Sequence, residues 1–332
     1  MNDSTTDLDP IEPAQAVELF LDDRSTELAE STLQNYRYRL GYFVEWCEQE
    51  NLDNLNELTG RHTHRFRLWR RENGDLTPLT LKNHMQVLRT FLRWAGAIEA
   101  VPQNLYDKVL VPTINPEDEK RDETLEAENA RVILEYLSKY NYASFEHTMF
   151  ATLWQTGVRV GTLVSLDLSD IDYEDEALRF KHRPADGTPL KNGKSGQRPV
   201  AVTPSLLKLI DDYAEDIRKE VVDDYGREPL FTTSSGRASI GSIRRNVYKI
   251  TSPCFRDADC PDCRETPAKK CPEAVSPHSI RRGSITHYLS EDVPLEIVSD
   301  RMNVSRDVLK KHYDRRSPDV KLEQRRGYLD NI

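Results

Sequence analysis

Residues 111–125, VPTINPEDEKRDETL, divide the sequence into two parts. The segment combines two prolines with a dense run of charged side chains, and its apolar residues follow neither a helix nor a strand period. This composition is typical of a linker. The chain has 332 residues, which is enough for two domains with separate cores. The sequence therefore predicts domains at 13–110 and 126–316, a disordered N-terminus at 1–12 and a C-terminal tail at 317–332.

Four segments of the first part carry apolar residues at the spacing of amphipathic helices. The fourth is the clearest, because Leu81, Met85, Leu88, Leu92 and Ala95 recur every three or four residues. The segments are 14–24, 29–51, 61–73 and 77–98. This part is predicted to be a compact all-α domain.

Basic residues gather in the third and fourth of these segments. The whole chain has 46 Lys and Arg against 56 Asp and Glu, a net charge of −10, which argues against a nucleic-acid partner unless basic residues collect on one face. A solvated helix face and a phosphate-binding face both explain the cluster. The predicted phosphate-contacting residues are Arg61, Arg65, Arg67, Arg70, Arg71, Lys82 and Arg89.

The acidic surplus resembles that of proteins from salt-loving archaea, which keep an acidic, hydrated surface. No apolar run approaches the roughly 18 residues that a membrane helix needs. The N-terminus, MNDSTTDLDP, lacks the basic and apolar regions of a signal peptide. The sequence therefore predicts a cytoplasmic protein without a membrane segment.

The second part mixes helical segments with two short strand-like runs. ALRFKHRP at 177–184 and QRPVAVTP at 197–204 predict strands, joined by a loop rich in Gly, Pro and Lys. Gly157 is placed to end one helix, and PSLLKLIDDYAEDIRKEVV at 204–222 predicts another. The predicted fold class is mainly α with a small β-sheet: an all-α domain followed by an α+β domain.

Residues suited to phosphate chemistry recur at four places in the second part. They are Arg159 in QTGVR, a lysine-bearing loop at 191–198, the HSIRR segment at 278–282, and Tyr313 in KKHYDRR. Singly, each has an ordinary explanation, such as a solvent-facing arginine or a histidine that caps a helix. Together and in this order, they resemble the active-site motifs of the tyrosine recombinase family, the phage-type integrases and their chromosome-resolving relatives.

The resemblance assigns catalytic roles to Arg159, Lys194, His278, Arg281 and Tyr313. Lys194 lies in GKSGQRPVAV, which resembles the family's GKGNKERLVPL, and Lys191 on the same loop is the alternative. The resemblance also implies a core-binding domain and a catalytic domain that clamp double-stranded DNA. It further implies a homotetramer on two DNA sites, a monomer or weak dimer when free, and no cofactor for catalysis.

The chemistry explains why these residue types occur together. Two guanidinium groups hold the non-bridging oxygens of a phosphodiester through charge-assisted hydrogen bonds. A tyrosine hydroxyl, with a reference pKa of about 10, needs a base such as His278 to accept its proton. The lysine protonates the departing 5′ oxygen. Because the phosphotyrosine bond retains the energy of the broken bond, a second DNA end can be joined without ATP.

Two positions depart from the family pattern. The histidine of the family's LGH turn falls on Val304, which cannot donate a hydrogen bond. Either another group such as His312 or Arg282 compensates, or the transition state is held by one contact fewer. The carboxylate that usually follows the first arginine falls on Thr162. Two alternatives therefore stay open. One is a DNA-binding relative without recombination activity, and the other is a type IB topoisomerase, which relaxes supercoils as a monomer.

Four of the five cysteines lie in one short segment, CFRDADCPDCRETPAKKC. A tetrahedral structural zinc site is predicted there, and disulfides or a reduced, metal-free loop are the alternatives. The proposed ligands are Cys254, Cys260, Cys263 and Cys271. The zinc would brace the loop that precedes His278. The fifth, Cys47, lies beside Trp46 on an apolar helix face and is predicted to pack in a core.

Overall fold

The computed structural model describes residues 10–114, 123–256 and 271–313, together with Asp319, Leu322, Glu323 and Arg326. The chain divides into two compact units, Met1–Arg121 and Asp122–Ile332, and the division falls inside the predicted linker. Most of the predicted N-terminal and C-terminal tails lies outside the described residues.

The first unit is helical, as predicted. Its helices are α1 (Pro13–Arg24), α2 (Glu30–Gln49), α3 (Gly60–Glu72) and α4 (Pro78–Ala97). Helices α3 and α4 begin after threonine caps, because the side chains of Thr59 and Thr77 accept hydrogen bonds from backbone N–H groups of the first turn.

Aromatic side chains fill the core of the first unit. Phe20 and Phe43 both contact Phe91 of α4, with ring centroids 5.5 Å and 6.0 Å apart. Cys47 is 1% exposed in the same core, which confirms its predicted packing role. Burial raises the pKa of the Cys47 thiol to about 12, so that it packs as an uncharged, apolar group.

The second unit is mainly α with two small sheets among its described residues, which confirms the predicted fold class. Its helices are α5 (Ala127–Tyr140), α6 (Phe145–Thr156), α7 (Val160–Val164), α8 (Pro204–Asp216), α9 (Ile240–Thr251), α10 (Pro277–Ser290), α11 (Leu295–Met302) and α12 (Arg306–His312). Its strands are β1 (Ile171–Asp172), β2 (Ala177–Phe180), β3 (Arg198–Ala201), β4 (Thr232–Thr233) and β5 (Gly236–Arg237).

Strands β2 and β3 are the two predicted strands, and they form an antiparallel hairpin. Phe180 pairs with Arg198 at the loop end of the hairpin, and Ala177 pairs with Ala201 at the open end. Strand β1, which was not predicted, lies on the other edge of β2. The loop between Phe180 and Arg198 carries both candidate lysines.

Helix α10, which carries the HSIRR segment, is held by the first described residues of this unit. The Leu125 N–H donates to the Ser279 carbonyl at 3.1 Å, and Ser279 Oγ donates to Glu123 Oε2 at 3.1 Å. Gly283 permits this approach, since a Cβ there would lie 1.9 Å from the Leu125 carbonyl oxygen. The close backbone contact fixes the position of α10.

One helix boundary and one whole helix differ from the predictions. Helix α8 ends at Asp216 rather than near residue 222, because the chain turns at Arg218, whose guanidinium donates to the carbonyls of Pro229 and Val221. Helix α12 was not predicted from the sequence. Over the ranges that the structure describes, none of the helices is both long and apolar enough to span a bilayer.

Candidate active site and DNA-binding surface

Arg159 is positioned by the end of α6. Gly157 ends that helix in the left-handed conformation (φ +59°), and Arg159 then precedes α7 with extended backbone. The half-buried side chain of Arg159 donates from Nη1 to the Asn303 carbonyl at 3.2 Å. That carbonyl replaces the expected carboxylate partner, since Thr162 at the corresponding position is buried and neutral.

Arg281 lies on α10 and is only 2% exposed. It donates from Nη1 to the Gly157 carbonyl at 2.6 Å and from Nη2 to the Met302 carbonyl at 2.8 Å. Burial and the nearby charge of Arg159 lower the pKa of Arg281 to about 10, and the nearby Tyr313 hydroxyl opposes this shift. Arg281 therefore stays protonated at neutral pH.

His278 lies one turn before Arg281 on the same helix, and solvent reaches its side chain. The protein atoms that crowd the ring, followed by the charges of Arg282, Arg281, Arg159 and Lys191, lower its pKa to about 4. The imidazole is therefore neutral at physiological pH. A neutral ring has a nitrogen free to accept a proton, as a general base requires.

Tyr313 follows the last residue of α12, and its side chain is 7% exposed. The Tyr313 N–H donates to the Leu309 carbonyl at 3.0 Å, and its carbonyl accepts from Thr286 Oγ1 at 3.3 Å. The ring centroids of Tyr313 and His278 are 6.4 Å apart. The structure therefore brings Tyr313, His278 and both predicted arginines together, although they span more than 150 residues of sequence.

A third arginine, Arg198 of β3, belongs to the same cluster and was not predicted. Burial and then the charges of Arg281, Arg159 and Arg301 lower its pKa to about 10. Its guanidinium lies 5.4 Å from the centroid of the Phe180 ring. The sequence signal was present, because the family segment GKGNKERLVPL that suggested Lys194 also contains an arginine before its strand.

The two candidate lysines are both exposed on the β2–β3 loop. Lys194 lies in a 3-10 helix, Gly193–Gly196. Lys191 precedes that helix, and its charge is one of those that lower the pKa of His278. The resemblance favours Lys194, whereas this electrostatic contact favours Lys191.

The position of the family's LGH histidine is apolar here. Val304 is 7% exposed and packs in a cluster with Met302, Leu309 and Tyr313. Of the two groups predicted to compensate, Arg282 lies close enough to lower the pKa of His278, and its Nε is buried without a hydrogen-bond partner among the described residues. The side chain of His312 lies outside the described part of the chain.

The predicted basic face of α3 needs one correction. Arg70 is 2% exposed, and its guanidinium lies 3.6 Å from the centroid of the Tyr42 ring. Arg70 therefore packs against α2 inside the first unit, through a cation–π contact. Because its side chain is buried, it is not available to contact phosphates. Arg61, Arg65 and Arg71 are exposed, and Arg67 is half-buried. Arg65 pairs with Glu50 and Arg71 with Glu72, so that part of this charge is already neutralised.

A more continuous polar and basic surface lies between α2 and α4. It is a groove of about 470 Å³ lined by Tyr36, Arg39, Asn83, Gln86, Val87, Arg89, Thr90 and Arg93. Arg89 donates to the Val109 carbonyl at 2.5 Å, and Arg93 lies 4.8 Å from the centroid of the Tyr106 ring. Spacings of three and four residues place Gln86, Arg89 and Arg93 on one face of α4. Arg39 and the polar residues of this groove were not predicted.

The predicted zinc site is only partly within the described residues. Cys260 and Cys263 lie outside them. Cys254 is half-buried, and Cys271 is 4% exposed. The residues before and after the cysteine segment are in contact with each other, since the Val275 N–H donates to Thr251 Oγ1 at 3.1 Å. The zinc site stays a prediction.

The sequence matches the Phage integrase family over residues 123–318 and the phage integrase N-terminal SAM-like domain over residues 17–97. Tyrosine recombinase XerD of Yersinia pestis is 25% identical over 292 residues, which cover 85% of this chain and 86% of the relative. The probable integrase/recombinase protein MJ0367 of Methanocaldococcus jannaschii is 23% identical over 288 residues, which cover 85% of this chain and 80% of the relative.

Among solved structures, the Tn1549 transposon integrase in complex with transposon right end DNA has the same fold. It is 16% identical, has a TM-score of 0.68, and the match covers 95% of this chain and 99% of that one. The family match spans the whole arginine, histidine and tyrosine cluster of the second unit. The chain therefore belongs to the phage integrase family of tyrosine recombinases.

Proposed function

We propose that the protein is a site-specific DNA recombinase that cleaves and rejoins strands of double-stranded DNA through a 3′-phosphotyrosine intermediate. The observation that carries the proposal is the convergence of Tyr313, Arg281 and His278. Tyr313 lies near enough to Arg281 to oppose the lowering of the Arg281 pKa, and the His278 and Tyr313 rings are 6.4 Å apart. A chain that only binds DNA has no use for a tyrosine held between an arginine and a neutral histidine.

In this mechanism the two arginines bind the scissile phosphate. Each guanidinium has five N–H donors. Arg281 uses two of them on backbone carbonyls and Arg159 uses one, which fixes both groups and leaves the other donors for the non-bridging oxygens. Their charges offset the negative charge that develops on the phosphoryl oxygens in the transition state.

The tyrosine oxygen of Tyr313 attacks phosphorus, and the bond from phosphorus to the 5′ oxygen breaks. His278 accepts the phenolic proton, and a lysine of the β2–β3 loop, Lys194 or Lys191, gives a proton to the departing 5′ oxygen. The reverse sequence, with the 5′ hydroxyl of another strand, restores the phosphodiester. Bonds and protons balance without an external energy source, since one phosphoester replaces another.

The DNA-binding surface is part of the proposal. We assign it to the α2–α4 groove, with Arg39, Arg89 and Arg93 as the main phosphate contacts, and to the exposed arginines of α3. The protein therefore keeps a local basic surface despite its net charge of −10. Assembly as a homotetramer on two DNA sites, and a cytoplasmic location, complete the proposal.

Covalent capture tests this function without knowledge of the target site. The protein is incubated with sheared DNA of the genome that encodes it, without magnesium or ATP, and denatured. DNA that stays attached to protein is then sequenced. We expect adducts at a recurrent sequence that vanish in Tyr313→Phe. Specific binding without an adduct would overturn the proposal.

Val304 favours the alternative of a DNA-binding relative without recombination activity, because its apolar side chain cannot contact the phosphate. Should the wild type bind specifically but form no adduct, Val304→His is the variant to compare. A type IB topoisomerase would instead relax supercoiled plasmid without sequence preference. The relaxation assay on a plasmid that lacks the captured site separates this activity from recombination.

A further inference from the structure

The turn between α11 and α12 holds three arginines at once. Three consecutive carbonyls, those of Arg301, Met302 and Asn303, accept hydrogen bonds from Arg198 Nε at 2.7 Å, Arg281 Nη2 at 2.8 Å and Arg159 Nη1 at 3.2 Å. These carbonyls lie at the C-terminal end of α11, where unpaired carbonyls and the helix dipole favour cations. The turn therefore fixes the arginine cluster from one side.

The side chain of Asn303 connects this turn to the lysine-bearing loop. Asn192 Nδ2 donates to Asn303 Oδ1 at 3.1 Å. Gly196, at the other end of the loop, packs against the same amide, since a Cβ there would lie 3.1 Å from Asn303 Nδ2. Arg198 adds a second tie, because its Nη1 donates to the Gly196 carbonyl at 2.8 Å.

The backbone of Asn303 explains why an asparagine is accommodated at this position. Its φ of 48° and ψ of 65° are left-handed, a conformation open to glycine and, among other residues, most readily to asparagine and aspartate. In the LGH turn of the family this position is a glycine. Glycine would give the same turn, but it would give no contact to the loop.

We propose that Asn303 is a positioning residue that ties the lysine-bearing loop to the turn holding the catalytic arginines. This inference rests on the proposed function, since it concerns the proton donor for the departing 5′ oxygen. Lys191 and Lys194 are both exposed, whereas Leu190 before them and Gly196 after them are buried. The lysine-bearing turn is therefore held at its two ends, and the contact of Asn192 with Asn303 lies between them. The Asn192–Asn303 hydrogen bond fixes the position of the loop, and so of the lysine ammonium group, relative to the arginines that bind the phosphate, whichever lysine acts.

The test separates proton donation from every other step by changing the leaving group. Cleavage is measured on a nicked duplex of the captured sequence with the normal 5′ oxygen, and on the same duplex with sulfur replacing that oxygen at the scissile phosphate. A thiol has a reference pKa of about 8.5, so that the thiolate departs without a proton donor. Asn303→Gly removes the amide but keeps the left-handed turn, and Asn192→Ala removes the donor.

We expect each variant to cleave the oxygen duplex about tenfold more slowly, the effect of one hydrogen bond lost at an exposed loop. Each should cleave the sulfur duplex at the wild-type rate. The double variant should be no slower than either single one, since both remove the same contact. Asp292→Gly is the matched control, because Asp292 also has positive φ (60°) but is exposed after α10 and has no role in the site.

Equal losses on both duplexes would overturn the inference, since they would indicate a general disturbance of the arginines. Wild-type rates on both duplexes would overturn it as well. A wild type that binds the duplex but cleaves neither form would instead overturn the proposed function. Failure of the proposed function is thus distinguished from failure of the inference, because the first is seen in the wild type alone and the second only in the variants.

Discussion

Arg281 Nη1 donates a 2.6 Å hydrogen bond to the carbonyl of Gly157, the residue that ends α6. The contact joins two sequence motifs separated by more than a hundred residues, the TGVR and HSIRR segments. Gly157 is suited to it in two ways. Its φ of +59° turns the chain toward α10, and a side chain there would lie 2.7 Å from the Met302 sulfur. The Arg281 guanidinium is consequently held by two chain segments, the end of α6 through the Gly157 carbonyl and the end of α11 through the Met302 carbonyl.

Arg281→Lys is expected to lower the rate of adduct formation about a hundredfold or more, with DNA affinity little changed. An ammonium group cannot donate to two carbonyls and to the phosphate in the planar geometry of a guanidinium. Single-turnover cleavage of the nicked duplex measures the loss. Circular dichroism checks that the variant is folded, and a folded variant with the wild-type rate would contradict the assigned role of Arg281.

Gly283→Ala is expected to destabilise the second unit by about 2–3 kcal/mol, because its Cβ would overlap the Leu125 carbonyl oxygen and neither backbone can move freely. For a unit of this size that loss corresponds to a fall in Tm of roughly 5–10 °C. Gly161→Ala is the control, since a Cβ there meets only Ile240 at 3.9 Å. Equal melting temperatures for the two variants would contradict the close contact at α10.

Helix positions, and the residues that cluster in the candidate active site, were the parts best predicted from the sequence. The apolar stripe of α4 and the glycine that ends α6 are local features, and each has a physical reason that operates within a few residues. Arg159, His278, Arg281 and Tyr313 were selected because short motifs at four places occur in a fixed order, which carries information that no single motif contains. The structure then places these residues together in one unit.

The missed and corrected residues depend on contacts between distant segments. Arg70 has the same charge and helix spacing as its exposed neighbours, and only its packing on Tyr42 makes it a core residue. Arg198 and Asn303 act through carbonyls and amides about a hundred residues away in sequence. Periodicity and charge patterns contain no information on such contacts.

Arg93→Gln is expected to weaken DNA binding at all sequences and to reduce the slope of log affinity against log salt by about 0.9, the effect of one lost phosphate contact. Arg93 is exposed in the α2–α4 groove. Arg37→Gln is the control, because it also removes one positive charge but Arg37 is not among the residues that line the groove. Arg37 lies on α2 and pairs with Glu18 at 3.3 Å, so that its loss should leave the slope unchanged. Fluorescence anisotropy at several salt concentrations measures both slopes, and equal slopes would contradict the assigned surface.

The pH dependence of cleavage follows from the lowered pKa of His278. The acting form is the neutral imidazole, so that activity is present above the folded pKa of about 4 and is lost as the pH falls through it. The second-order rate constant at subsaturating DNA reports the free enzyme, and it should therefore not fall between pH 7.5 and pH 5.5. With a histidine of ordinary pKa, this rate constant would be about tenfold lower at pH 5.5 than at pH 7.5.

His278→Gln provides the comparison for this profile, because it removes the base while leaving the charge near the arginines unchanged at neutral pH. We expect it to be slower by about a hundredfold at every pH in the range. An inflection of the wild-type rate near pH 6.5 that is missing in His278→Gln would mean that the imidazole is protonated in the free protein. The imidazole would then be more hydrated in solution than the structure shows, and the cations around it, Arg282 first among them, would lie farther away.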